Sequence, residues 1–177
     1  MDRRPIQDRI GPDQGDGHEG PGLDPDAFRE ALSRWASAVT VVAARDGDAV
    51  HATTVSSFIP VSAEPPLVLV SLGANAQVLP WLDPGARFAV SFLATDQRRL
   101  ASVFADPFPV GPSPVPAEGD PVVEGALGAL ICTVRDVLAT GSDARLVLAL
   151  VESASLDAQK EPLVRYRRSY RTLAPEE

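Results

Sequence analysis

The chain has 177 residues, 45% of them hydrophobic, with a formal charge of −8. That length supports one sizeable core and one domain, and the acidic balance excludes a nucleic-acid groove, which needs Lys and Arg massed on one face. No run approaches the ~18 apolar residues of a membrane span and no apolar signal core opens the sequence; the single cysteine, Cys132, lies in an apolar run at 129–134 and can close no internal disulfide, so a soluble protein of the reducing cytoplasm is predicted.

Residues 1–22 are rich in charge, Gly and Pro without apolar periodicity, which predicts a flexible tail ahead of a domain spanning 23–177. His18 in that tail has no neighbouring ligands and reads as solvated. Asp24-Pro25-Asp26 supplies an N-cap, a first-turn proline and negative charge at a helix start. Phe28, Ala31, Leu32 and Trp35 follow at helical spacing and form one apolar face. Residues 39–44 then read as a strand, 45–48 as its hairpin turn and 49–55 as its partner. Further strands are predicted at 58–61, 67–72 and 88–93, the second nearly continuously apolar and so central. A short helix from Thr95 or Asp96 carries Leu100, Val103 and Phe104 inward. Six prolines between 106 and 121 mark a long loop, and 126–137, 146–155 and 163–170 read as closing strands. Many short antiparallel strands with few helices favour an all-β barrel with peripheral helices over a parallel α/β sheet.

Between two β-branched segments stand four small hydroxyl residues, Thr53, Thr54, Ser56 and Ser57. Rigid strands holding donors beside an apolar wall suit a polar aromatic ligand, although the residues alone leave open ordinary solvent-facing strand positions. His51 reads as a structural strand histidine, Asp143 and Arg145 as a surface ion pair, and Arg165, Arg167, Arg168 and Arg171 as a solvated terminal strand. No metal-ligand spacing, no nucleophile beside a base and no glycine-rich phosphate loop is present.

Thr54 to Phe58 and Pro65 to Val70 match, without a gap, a pattern running Gly-x-Thr-Val-Ser-Ser-Phe and then Pro-Pro-Leu-Val-Leu-Val. On these residues the chain resembles the flavin reductase-like family of FMN-binding split barrels. Residues 28–32, 38–42, 87–90, 93–97, 125–127, Cys132, Pro162-Leu163 and Tyr170 also align, so the resemblance covers about 26–171. It implies a six-stranded split barrel of Greek-key type, assembled as a homodimer, that binds FMN or FAD. It implies an NAD(P)H:flavin oxidoreductase, taking NADH or NADPH as donor and supplying reduced flavin to a flavin-dependent monooxygenase component. Thr53, Thr54, Val55, Ser56 and Ser57 would line the isoalloxazine and ribityl chain, and Ser71 and Leu72 would lie where the phosphate loop departs.

Two departures stand out. Where members carry Ser-x-Thr for the flavin phosphate, this chain has Asn75-Ala76-Gln77, followed by Pro80 where a helix usually continues. Where many carry Gly-Asp-His to receive the nicotinamide, it has Ser142-Asp143-Ala144, leaving Asp143, Ala144 and Tyr170 as the implied nicotinamide region. These departures sustain a rival expectation: a split barrel without reductase activity that binds flavin or another aromatic ligand, or performs non-reductive chemistry on it.

Overall fold

The computed structural model describes residues 22–106 and 115–173; the expectations for the tail at 1–21 and for 107–114 lie outside the described residues. The chain divides into two compact units after Leu32. Helix α1 (Pro25–Ser33) is opened by Asp24, whose carboxylate accepts hydrogen bonds from the amides of Asp26 and Ala27, each at 3.0 Å. None of its residues is buried.

Two antiparallel sheets follow. The smaller pairs β1 (Ser37–Ala38), β9 (Val164–Tyr166) and β10 (Ser169–Arg171). The larger comprises β2 (Thr40–Asp46), β3 (Ala49–Val55), β4 (Phe58–Ala63), β5 (Pro66–Gly73), β6 (Arg87–Phe92), β7 (Gly128–Ala139) and β8 (Ala144–Leu156), in the order β3-β2-β6-β7-β8-β5-β4. All-β architecture is therefore observed, but with seven strands in the main sheet instead of six. The extra strand arises because 49–63 forms two segments at opposite edges of the sheet. Only Ser56 and Ser57 separate them.

The period-two alternation of strands explains how one sheet serves two cores. Val42 and Ala44 join residues of β5, β6, β7 and β8, including Phe88, Val70, Cys132 and Val147, in a cluster on one face. Val41 turns to the other face, where Val39, Leu93, Ala101, Phe104 and Leu163 pack together. With both faces covered, residues 40–44 are all buried. Cys132 is fully buried, as its apolar run predicts.

Helix α2 (Arg98–Val103) starts later than predicted, because Thr95–Gln97 forms a 3-10 turn first. That offset puts Ala101, with Leu100 and Phe104, in the second core, and leaves Val103 only partly buried. The predicted final strand at 163–170 is instead a hairpin, turning at Arg167 and Arg168 with left-handed φ of 50° and 61°. After the undescribed residues, 115–121 contains no helix or strand. Arg45 holds that segment by donating to the carbonyls of Pro116, Ala117 and Gly119 at 2.8, 2.9 and 3.1 Å, and Arg87 grips the Asp120 carboxylate at 3.0 and 3.2 Å.

Candidate functional site

The β3–β4 link is where the two outermost strands of the main sheet come within two residues of each other, and every candidate ligand contact can be traced from it. Along β3, Val50 and Ala52 face the second core while Val55 packs against the first. By the same alternation Thr54 lies on the face of Val50, and Thr53 on that of Val55.

Thr54 is fully engaged. Its hydroxyl donates to the Ala101 carbonyl at 2.9 Å and its amide to the Phe104 carbonyl at 3.0 Å. Both acceptors belong to the end of α2, where the last carbonyls have no partner within the helix, so Thr54 caps that helix. Ser57 is likewise committed: its hydroxyl donates to the Ser71 carbonyl at 2.5 Å, and the Ser71 amide returns to the Ser57 carbonyl at 3.2 Å. Ser56, between them, is exposed and makes no hydrogen bond to a described residue. Of the four predicted hydroxyls, then, those of Thr54 and Ser57 serve the fold, while those of half-buried Thr53 and exposed Ser56 make no hydrogen bond to a described residue. Leu72 is 1% exposed within the first core, so its side chain is unavailable to any ligand.

Val39, Thr54, Val55, Ser56, Ala105, Arg165 and Tyr170 line a cleft of about 170 Å³. Sequence reasoning placed Tyr170 with Asp143 and Ala144; the structure sets it instead beside the hydroxyl segment. Arg165, predicted as solvated and exposed in the structure, is the cation of this cleft. It faces Tyr170 as its direct cross-strand partner, with the guanidinium carbon 5.4 Å from the ring centroid. A hairpin turn lacking Gly or Asn gave no signal that these two residues would meet.

The other end of the site follows β5. Beyond Gly73 the amide of Ala74 donates to the Asp143 carbonyl at 2.5 Å, and Gly73 pairs with Ala144, which brings the Asn75 loop and the Ser142-Asp143-Ala144 turn together. Ala76 and Leu79 amides bond locally, to Gly73 and Ala76 carbonyls. The amides of Asn75, Gln77 and Val78 make no hydrogen bond to another described residue. Val78 is fully buried, so the N–H groups that an anion could meet in this loop are those of exposed Asn75 and half-buried Gln77. Pro80 fits here because it opens a 3-10 turn, Leu79–Trp81, where no donor is required of it. Arg145 does not pair with Asp143; it donates to the carbonyls of Ser142 and Ala144 at 3.3 and 3.0 Å, stiffening the turn. His51 stacks on Trp81, ring centroids 4.7 Å apart.

Among the described residues no group of three or more His, Cys, Asp or Glu is arranged to hold a metal ion, and no helix is long and apolar enough to cross a membrane.

A family model described as flavin reductase like domain matches residues 32–174. The reductase component of 4-hydroxyphenylacetate 3-monooxygenase from Thermus thermophilus is 40% identical over 152 residues, covering 84% of this chain and 96% of that protein. Among solved structures, flavin reductase PheA2 in its native state is similar with a TM-score of 0.77 and 32% identity, over 86% of this chain and 100% of that one. Streptomyces globisporus NADH:FAD oxidoreductase SgcE6, in complex with NAD and FAD fragments, is similar with a TM-score of 0.75 and 28% identity, over 89% of this chain and 99% of that one.

Proposed function

The chain belongs to the flavin reductase like domain family, and on that footing we propose that it is an NAD(P)H:flavin oxidoreductase supplying reduced FMN or FAD to a partner monooxygenase. The observation that carries this at the site is the pairing of an anion-ready loop with a polar strand link. The unused amides of Asn75 and Gln77 suit a flavin phosphate, and the Ser56–Ser57 link offers an exposed hydroxyl with Val55 beside it. A bound flavin would supply the redox chemistry, and the residues of this chain would supply position and electrostatics. In this reading Thr54 and Ser57 fix the strand link by spending their hydroxyls on backbone carbonyls, so that Ser56 is presented on a rigid frame. The Asn75 and Gln77 side chains replace the expected Ser-x-Thr hydroxyls, while backbone N–H groups provide most of the phosphate recognition.

We further read the main sheet as a split barrel. Taken as one bent strand, 49–63 pairs with β2 through its first half and with β5 through its second, which reduces seven segments to six strands and brings both sheet edges together at Ser56–Ser57. The ligand then lies at the seam of that barrel, within a domain that we read as spanning 23–177. A homodimer is supported by large apolar side chains left in solvent, Leu156 at 81% and Trp35 at 75% exposure, since a symmetric pair is the common way to cover such surface. A single buried thiol fits a reducing cytoplasm.

The test is direct. Purified protein incubated with FMN or FAD is followed by NADH and NADPH oxidation at 340 nm. Turnover that depends on added flavin is the expected result. Absence of turnover with either flavin and either donor returns the chain to the rival role of a binding protein.

A further inference from the structure

We propose that Arg165 recognises the phosphates of the nicotinamide donor, making the cleft between β3 and the β9–β10 hairpin a nucleotide-anion site; this rests on the reductase function proposed above. Arg165 is a guanidinium with unspent donors. Arg29 and Arg87 bind carboxylates, and Arg45, Arg98 and Arg145 bind backbone carbonyls. Arg165 makes no hydrogen bond or ion pair with a described residue, and its one partner is the Tyr170 ring. A cation held over an aromatic face keeps all five N–H donors for a ligand while losing much of its side-chain freedom in advance.

Its surroundings favour a polyanion. The protein carries a net charge of −8, yet Arg165, Arg167 and Arg171 cluster on one hairpin, and Arg98 approaches it by donating to the Tyr170 carbonyl at 3.4 Å. A local basic island on an acidic surface focuses field lines and draws in anionic ligands. At about 170 Å³ the cleft is smaller than the ~300–1,000 Å³ of sites that enclose a whole cofactor-sized ligand, so it takes one part of one. The loop after β5 already offers the flavin phosphate the amides of Asn75 and Gln77. That loop and the Arg165 cleft lie at opposite ends of the path Ser56, Ser57, Ser71. A flavin phosphate at one end leaves the guanidinium at the other for the second anionic reactant, the dinucleotide.

The experiment uses the FMN-loaded full-length protein and its R165K and R165M variants, the latter keeping aliphatic cover on Tyr170 without the charge. ADP-ribose, which carries the donor's phosphates but no nicotinamide, is titrated calorimetrically; FMN and riboflavin are titrated by flavin fluorescence. Losing a charged hydrogen bond should weaken ADP-ribose about tenfold or more in R165M and less in R165K. The KM for NADH should rise in parallel with little change in kcat, and FMN affinity should hold within about twofold. Melting curves establish that both variants are folded. Unchanged ADP-ribose affinity in folded R165M, or no ADP-ribose binding by the wild type, overturns the proposal. So does a lost preference for FMN over riboflavin with ADP-ribose binding intact, which would assign Arg165 to the flavin phosphate. If the wild type fails to bind FMN or to oxidise NADH with added flavin, the reductase function itself fails; with both intact, only the role of Arg165 is at stake.

Discussion

Replacing Thr54 by Val removes one hydroxyl and keeps the shape of the side chain, which separates a structural role from a ligand contact. Ala101 is fully buried, and its carbonyl receives the Thr54 hydroxyl at 2.9 Å. A buried acceptor left without a partner costs about 1–3 kcal/mol. The neighbouring bond from the Thr54 amide to Phe104 survives the change, so helix α2 stays docked by one of its two ties. For a domain of this size each kcal/mol moves Tm by roughly 2–4 °C, so the variant should melt about 2–12 °C lower. Thr54→Ser keeps the donor and loses one methyl group, costing about 1 kcal/mol. Thermal melts and urea denaturation give these stabilities, and FMN titration by fluorescence quenching gives the affinity. Because the hydroxyl is already spent on the helix, flavin affinity should stay within about twofold of wild type in both variants. The reasoning is refuted if Thr54→Val melts like the wild type, or if it melts normally while losing an order of magnitude in flavin affinity. The first result would mean that the hydroxyl does not hold α2, and the second that it faces the ligand instead.

Ser56→Leu should have the opposite signature: a folded protein of near wild-type Tm, since a strand link accepts a branched apolar residue, with flavin binding blocked in the same titration. Wild-type protein should prefer FMN to riboflavin by about tenfold or more, because amide hydrogen bonds to a charged phosphate contribute about 1.5–3 kcal/mol each; equal affinities would remove the Asn75 and Gln77 amides from the site. The Cys132 thiol is pushed up to about 12, first by burial and then by the negative charge of Glu152. An unfolded thiol ionises near pH 9, so the stabilisation it contributes is complete below that pH and is lost as pH climbs from 9 to 12. Cys132→Ala should flatten that alkaline decline in urea melts, and parallel wild-type and variant curves across pH 9–12 would contradict it. Ala144→His should lower the KM for NADH by the worth of one hydrogen bond, about 0.5–1.5 kcal/mol or a few-fold. An unchanged KM would show that an imidazole beside the Asn75 loop has no ligand to meet.

Local chemistry was legible in the residues, and long-range partnership was not. Asp24 as a helix cap, the 45–48 hairpin and Cys132 as a core residue each follow from neighbours within a few positions, where propensity and capping rules act. The engaged state of Thr54 depends on Ala101, 47 residues away, and no periodicity announces it. The β9–β10 hairpin was read as a single strand because its turn holds two arginines in the left-handed region. That conformation costs non-Gly residues about 1–2 kcal/mol each, so turn rules look for Gly or Asn there. Missing the turn hid the pairing of Arg165 with Tyr170, and with it the cation of the cleft. The Asp143–Arg145 pair failed for a related reason: a charged side chain at a tight turn finds carbonyls closer at hand than a neighbouring carboxylate.

The placement of the two departures from the family pattern bears on how the site divides its work. Asp143 and Ala144 lie against the loop that follows β5, whereas Tyr170 lies with Thr54 and Ser56, so the residues grouped by sequence as one nicotinamide region occupy two places in the chain. On the proposed reading each place has its own means of holding negative charge: the unpartnered amides of Asn75 and Gln77 in one, the Arg165 guanidinium in the other. A reaction between two phosphorylated cofactors needs both held at once with their charges apart, because two such anions sharing one cradle would repel. Separating the two cradles along Ser56, Ser57 and Ser71 meets that requirement with fixed backbone.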